Sequence, residues 1–371
     1  MTAVIGKFDN ILDQMDDLFE GFYPWVAGQY DGKSGGFYYA HSSKEDARIL
    51  PDIESTSQAL NIVMRNDLLP FIPNLMKKKL ISFYQRKQDK RTGYFYDDNS
   101  LMREDEVMVH RALGYANRAL ENLGDRPLHP LPIQAQSAPG YITSTESYLK
   151  KWRSIDLSNS WRGCDLIATS CVYIGLMERV DQQKFLQEAT SFLASIQDKD
   201  TGLWGEGSLY ERISGTFKLH TFYSRHCLKM PNKEKIYASI LHTLRSEKAA
   251  DMCYIRNPID LITFLNVDMS DAEKLEIIET TVSNMKAMKQ ADGGFSREIG
   301  HSPPAPNVAQ VKHGNYYPNM PKPVVIGKGK VEGDMNASTQ ATLIRLKCYE
   351  MAQKPPVSLP NKDLFISNLP Y

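Results

Sequence analysis

Hydrophobic residues along this chain recur at three- and four-residue spacing. Phe8, Ile11, Leu12, Met15, Leu18, Phe19 and Phe22 fall on one helical face. Phe185, Leu186, Ala189, Phe192, Leu193 and Ile196 repeat the pattern. So do Ile236, Ile240, Leu241 and Leu244, and then Leu275, Ile278, Val282 and Met285. Each of these segments keeps a polar face, which predicts helices on the outside of the protein. Ser270 followed by Glu273 is a capping box opening the last of them. A second set of segments is richer in small residues and less clearly two-faced, beginning near Asp52, Glu104, Asp165, Arg212, Asn257 and Asp334. Residues 165–177 are apolar on most sides, as expected of a helix covered on two faces. Pairing each inner segment with an outer one predicts six helical hairpins and about twelve helices. The least distinct outer helix lies around Ser144 to Trp152. No stretch alternates as a strand does.

Turn-like segments punctuate the helices, each with Gly beside an aromatic residue. They are Asp31-Gly32-Lys33-Ser34-Gly35-Gly36-Phe37-Tyr38, Gln88-Asp89-Lys90-Arg91-Thr92-Gly93-Tyr94-Phe95, Gln197-Asp198-Lys199-Asp200-Thr201-Gly202-Leu203-Trp204-Gly205 and Gln290-Ala291-Asp292-Gly293-Gly294-Phe295. Glycine supplies positive φ, and Asp or Thr caps the turn backbone. Four turns with one logic imply internal repetition. The inner segments share a register too: Asp52-Ile53-Glu54-Ser55-Thr56-Ser57-Gln58-Ala59 aligns with Asp334-Met335-Asn336-Ala337-Ser338-Thr339-Gln340-Ala341, and Asp165 with Thr169 matches the acid and hydroxyl. An acid at a helix N-terminus is also what the helix dipole favours.

Composition narrows the class. With 44 Lys+Arg against 44 Asp+Glu, no global basic field exists to hold nucleic acid or an anionic membrane. At 42% hydrophobic and 24% charged residues, the chain is neither disordered nor fibrous. Apolar runs fall short of the ~20 residues of a transmembrane span, and residues 1–10 lack the features of a secretory signal. Five scattered Cys without a CxxC pair predict reduced thiols in a cytoplasmic protein.

Hairpins of this length, joined by Q-x-x-x-G-x-(W/F) turns, resemble the terpenoid cyclase and protein prenyltransferase superfamily over nearly the whole chain. Gln197 to Gly205 and Gln290 to Phe295 are similar to the aromatic-Gly repeats of squalene–hopene cyclases and prenyltransferase β subunits. The resemblance implies an all-α fold, a single (α/α)6 toroid over residues 1–371, with inner and outer rings of six helices. It also implies an isoprenoid substrate in a central cavity and cyclisation started by an acid. Class II cyclases protonate an alkene with D-x-D-D; here the nearest segment is Asp52-Ile53-Glu54-Ser55-Thr56, with Glu in the middle position. Asp52 or Glu54 is then the catalytic acid, Asp334 its neighbour, and aromatic faces stabilise cationic intermediates. Asp198-Lys199-Asp200-Thr201 reads as turn chemistry, and Asp16-Asp17-Leu18-Phe19-Glu20 as a solvated helix face. Asp251-Met252-Cys253-Tyr254 is similar to the zinc-binding D-x-C-Y of the prenyltransferases, but the last inner segment supplies no His, so Cys253 reads as structural and no metal or cofactor is expected.

A rival reading uses the same carboxylates. Glycosidases and polysaccharide lyases of six-hairpin architecture place carboxylates at the mouth of the inner ring. A pair of them ~6.5–9.5 Å apart suits inverting hydrolysis. Rim aromatics Tyr38, Tyr94, Tyr96 and Trp204 would stack on sugars, or fill gaps between hairpins. Arg103, Arg162, Arg212 and Arg256 sit at comparable inner-helix starts and would bind a diphosphate, sulfate or uronate, or pair with nearby acids. Trp161-Arg162-Gly163-Cys164-Asp165 combines an aromatic, a cation and an acid in one segment. Residues 123–141 and 297–331 are Pro-rich interruptions. The second is a candidate lid carrying His301, His313, Tyr316 and Tyr317, among which His313 joins the substrate-binding set. The sequence thus points first to a cyclase acting on a small isoprenoid, next to a carbohydrate-active enzyme, and third to a non-catalytic scaffold with an Arg-lined mouth.

Overall fold

A computed structural model describes residues 2–309 and 320–370. In these the regular structure is helical, interrupted only by short 3-10 turns and isolated β-bridges. The α-helices are α1 (Thr2–Asp17), α2 (Phe22–Gly28), α3 (Ile53–Arg65), α4 (Asn74–Arg86), α5 (Glu106–Asn122), α6 (Thr145–Arg153), α7 (Ser160–Ser170), α8 (Arg179–Ser195), α9 (Leu209–Arg225), α10 (Lys233–Ser246), α11 (Met252–Leu265), α12 (Asp271–Met288), α13 (Met335–Met351) and α14 (Asp363–Ser367). No described helix is long and apolar enough to cross a membrane.

The helices gather into two compact units. The first holds the chain up to Phe83, Leu244–Ala309 and the chain from Pro323 on. The second holds Tyr84–Thr243 together with residues 320–322. In the first unit α13 packs between α3 and α11, and α1 and α12 pair outside them. Of α13, Met335, Ala337, Ala341, Ile344 and Cys348 are completely buried, so an inner helix lacks a broad polar face because it is covered on several sides. In the second unit α7 packs between α5 and α9, and α6 pairs with α8.

Local chemistry sets the helix starts. Asp52, Asp105, Asp251 and Asp334 cap α3, α5, α11 and α13 with carboxylates that accept first-turn amides. Asn159 caps α7, and Ser208 with Glu211 forms a capping box on α9. Two inner starts therefore differ from expectation. Helix α7 opens five residues before Asp165, so Asp165 lies within the helix and its alignment with Asp52 and Asp334 fails. It also ends at Ser170, where a 3-10 segment, Cys171–Leu176, takes over. Helix α11 opens at Met252, not near Asn257, and carries Pro258 in its second turn. The weakly patterned outer segment does form α6, capped by Ser144.

The recurring turns are built as their residues suggest. In the second unit the Gln88 amide donates to Gly93 O at 3.2 Å and His129 O at 2.9 Å. The Gln197 amide donates likewise to Gly202 O at 2.7 Å and Pro231 O at 3.0 Å. Each glutamine therefore ties its turn to the next stretch of chain. Gly202 has φ +71°, and a Cβ there would lie 2.9 Å from the Ile236 amide nitrogen, so only glycine fits.

Candidate functional site

In the first unit, charged residues gather where α11 and α13 begin. Asp334 is fully buried; its Oδ1 accepts the Ala337 amide at 2.7 Å, and its Oδ2 accepts the Arg297 amide at 2.6 Å and the Ser302 hydroxyl at 2.7 Å. The Arg297 guanidinium donates through Nε to Asp251 Oδ1 at 2.8 Å and through Nη1 to Asn336 Oδ1 at 3.2 Å. Burial pushes the Asp334 carboxyl up to about 6, against the Ala337 amide, Ser302 and Arg297, which favour its charged form. Tyr39, also buried, is held well above its usual range, first by burial and then by the Asp334 charge.

A polar network continues from this cluster along the half-buried faces of the helices. Gln340 donates to Asn336 Oδ1 at 2.8 Å, and Arg256 Nε donates to Gln340 Oε1 at 3.3 Å. Arg256 and Lys347 lie 4.0 Å and 3.8 Å from Asp260 carboxylate oxygens. On α3, Gln58 donates to Glu54 Oε1 at 3.1 Å, and Arg65 donates to Thr339 O at 2.9 Å and Thr339 Oγ1 at 3.0 Å on α13.

The second unit holds its own cluster. Asp165 Oδ2 pairs with Arg111 of α5, and with Lys218 Nζ of α9 at 3.3 Å. Arg162 donates to Asp105 Oδ1 at 2.8 Å. Burial alone would raise the Asp165 carboxyl, but Arg111, Lys218 and Arg162 together hold it below the usual carboxylate range. Nearby on α5, burial depresses His110 to about 4, and its ring meets that of Tyr173 in a T-shaped pair with centroids 5.3 Å apart.

The nominated site residues fall into three groups. Asp52 and Asp334 cap adjacent helices, with Asp52 Oδ1 accepting the Ser55 amide at 2.7 Å; Glu54, one residue into α3, is the half-buried carboxylate of the three. The four arginines do not share one target. Arg103 stacks on Tyr96 at 4.3 Å, Arg162 pairs with Asp105, Arg212 reaches back to Asp198 at 3.2 Å and Thr201 Oγ1 at 3.0 Å, and Arg256 serves Gln340 and Asp260. Of the rim aromatics, Tyr38 and Tyr96 are half-buried, with Lys44 5.9 Å from the Tyr38 ring. Trp161 and Tyr94 are buried, and Trp204 is wholly interior, donating to Leu193 O at 2.8 Å. His313 lies outside the described residues, as do Tyr316 and Tyr317.

Three short motifs resolve into structural contacts. Asp16 accepts Arg345 Nε at 2.6 Å and Tyr349 Oη at 2.8 Å, so its helix face is not wholly solvated. Asp198 Oδ1 accepts the Asp200 and Thr201 amides at 2.9 Å and 2.8 Å, the expected turn chemistry. Asp251 Oδ1 accepts the Cys253 amide at 2.8 Å besides the Arg297 contact. No group of three or more His, Cys, Asp or Glu side chains among the described residues is arranged to hold a metal ion. The described ends of the Pro-rich segment are tied together: Ser302 N–H donates to Lys330 O at 2.9 Å, Ile326 N–H to Pro304 O at 2.9 Å, and Ser43 Oγ to Ile326 O at 2.7 Å.

Arg111, Lys218, Asp260 and Arg297 were not singled out by motif, and Gln340 appeared only within the aligned register of α3 and α13. The signal for Arg111, Lys218 and Asp260 is a charge within an otherwise covered inner helix. No protein-family model matches the chain, and no curated protein is significantly similar to it.

Proposed function

We propose that the first unit presents a binding face for a polar, hydroxyl-rich ligand of carbohydrate class, and that Glu54 is its acid–base group. The supporting observation is the cross-bonded polar network on the half-buried faces of α3, α11 and α13: Glu54 with Gln58, Arg65 with Thr339, and Asn336, Gln340, Arg256, Asp260 and Lys347 in sequence. Amide, carboxylate and guanidinium groups at this density match ligand hydroxyls. They oppose a polyene, whose cyclisation needs a dry, aromatic pocket. Asp52 and Asp334 then act as caps that fix the helix starts beside Glu54. The (α/α)6 toroid implied by the repeats is part of this proposal.

A second reading, protonation of an isoprenoid by Asp334, draws on the raised value of that buried carboxyl. Against it stand three hydrogen-bond donors, which occupy both Asp334 oxygens. The deciding experiment incubates the purified chain with neutral and uronic oligosaccharides, squalene-like polyenes and isoprenoid diphosphates, reading products by mass spectrometry. We expect products only from oligosaccharides, lost in Glu54→Gln and retained in Asp334→Asn. Turnover of a polyene that disappears in Asp334→Asn would overturn the carbohydrate reading in favour of the cyclase.

A further inference from the structure

We infer that the charged cluster on α5, α7 and α9 is a binding site for a small molecule carrying a single carboxylate. Its centre is Asp165, contacted by Arg111 and by Lys218 Nζ at 3.3 Å. Beside it Arg162, whose side chain is 10% exposed, gives one guanidinium nitrogen to Asp105 Oδ1 at 2.8 Å. The Arg162 Nε is buried and donates to nothing among the described residues. A buried guanidinium N–H without an acceptor is costly, because it has lost water and gained no partner. A ligand oxyanion is the acceptor that would repay that loss most fully.

The charge and the access agree with such a ligand. Arg111, Arg162 and Lys218 stand against the Asp105 and Asp165 carboxylates, a setting that favours an anion over a cation, and the one orphan N–H calls for one oxyanion. The side chains of Arg111 and Lys218 retain 21% and 14% exposure, whereas that of Asp165 retains 9%. Arg111 and Lys218 therefore keep more contact with solvent than the acid they face. Long-range attraction and a directional N–H are both in place for an incoming carboxylate. The site is independent of the reading given for α3, α11 and α13.

The test titrates the intact chain with sodium glucuronate, sulfate or phosphate, holding ionic strength constant with chloride, and reads the thermal midpoint. Glucuronate should give a saturable rise, weakened at least about tenfold in Arg162→Gln and in Lys218→Gln. Lys218 is half-buried on α9, so its variant reports even if loss of Arg162 disturbs folding. Arg91→Gln, at an exposed turn position, should titrate as the parent does. An equal, unsaturable response to all three salts would overturn the site, as would undiminished glucuronate binding in Lys218→Gln. Tighter binding of sulfate or phosphate than of glucuronate would overturn the assignment to a single carboxylate.

Discussion

In the first unit Arg297 gives Nε to Asp251, Nη1 to Asn336 and its backbone N–H to Asp334. In the second, Arg162 gives a guanidinium nitrogen to Asp105 and its Nε has no acceptor. Both arginines sit beside N-capping aspartates at the starts of central helices, so local sequence chemistry is much the same. They differ in completion. Arg297 links α11, α13 and the start of the Pro-rich segment into one staple, and its side chain is 4% exposed. In the Arg162 cluster Arg111 and Lys218 keep 21% and 14% side-chain exposure, and the Arg162 Nε has no acceptor among the described residues. A satisfied buried network contributes to a unique packing, whereas an incomplete one beside solvent is where a ligand gains most.

The sharpest way to break this contrast is to remove each arginine. Arg297→Met leaves the buried Asp251 without its guanidinium partner and removes a donor to the half-buried Asn336, and should lower the unfolding free energy by about 3–5 kcal/mol. Arg162→Met also removes a buried N–H that had no acceptor, and Asp105 keeps the Val107 amide at 3.0 Å. Its expected cost is about 1–2 kcal/mol. Urea unfolding of the full chain measures both, and equal losses would erase the distinction between the clusters.

The two central aspartates give a pH test with opposite signs. The folded-state value of Asp334, about 6, lies above its ordinary 3.8. Between about pH 4 and 6 the folded protein holds a proton that the unfolded chain has released. The Asp334 contribution is thus fully present below about pH 4 and is lost as pH rises through 6, by about 3 kcal/mol. Asp334→Asn should flatten that falling limb. Asp165 is shifted downward, so its contribution is present above the ordinary carboxylate value and lost as pH falls through its folded value. Asp165→Asn should remove part of the acid-side loss and leave the pH 4 to 6 limb intact. Stability measured against pH in both variants checks the signs, and parallel curves would contradict them.

Helicity, the amphipathic helices and the turns were legible because each is written in local spacing: the 3.6-residue period, a capping box, or Asp with Gly beside an aromatic. Asp52 and Asp334 were legible as helix starts for the same reason, and their packing partners α3 and α13 do meet. The inner starts at α7 and α11 were misplaced, because Asn159 and Asp251 cap segments whose early residues lack a clear period. Arg297 was illegible for another reason. Its partners Asp251 and Asn336 are 46 and 39 positions away in the chain, and no local pattern encodes them. The same holds for Arg111 and Lys218, which meet Asp165 only because three helices pack side by side.

Glycines with positive φ extend the comparison to backbone. Gly202→Ala, with φ +71° and a Cβ 2.9 Å from the Ile236 amide, should cost about 2–3 kcal/mol. Gly300→Ala, with φ +79° and open space around it, should cost about 1 kcal/mol. Thermal unfolding of the two variants separates crowding from backbone strain, and equal shifts would mean that crowding at Gly202 is relieved by a small displacement.

The smallest expected effect concerns the turn glutamines, and it runs against the direction of the charged clusters. Here the second unit is the more complete. Gln197 donates to Gly202 O and Pro231 O and accepts the Asn232 amide at 2.6 Å, joining three points of the chain. Gln290 donates to the Ser296 hydroxyl at 2.8 Å and, at 3.4 Å, to Met288 O, staying within its own turn. Gln197→Ala strands two carbonyls and an amide donor, and should cost about 2 kcal/mol, while Gln290→Ala should cost about 1 kcal/mol. Hydrogen exchange at the Gly202 and Gly293 amides, each within its turn, reports the local opening that follows. Faster exchange at Gly293 than at Gly202 across the pair of variants would show that the incomplete cluster of the second unit is not offset by firmer turns.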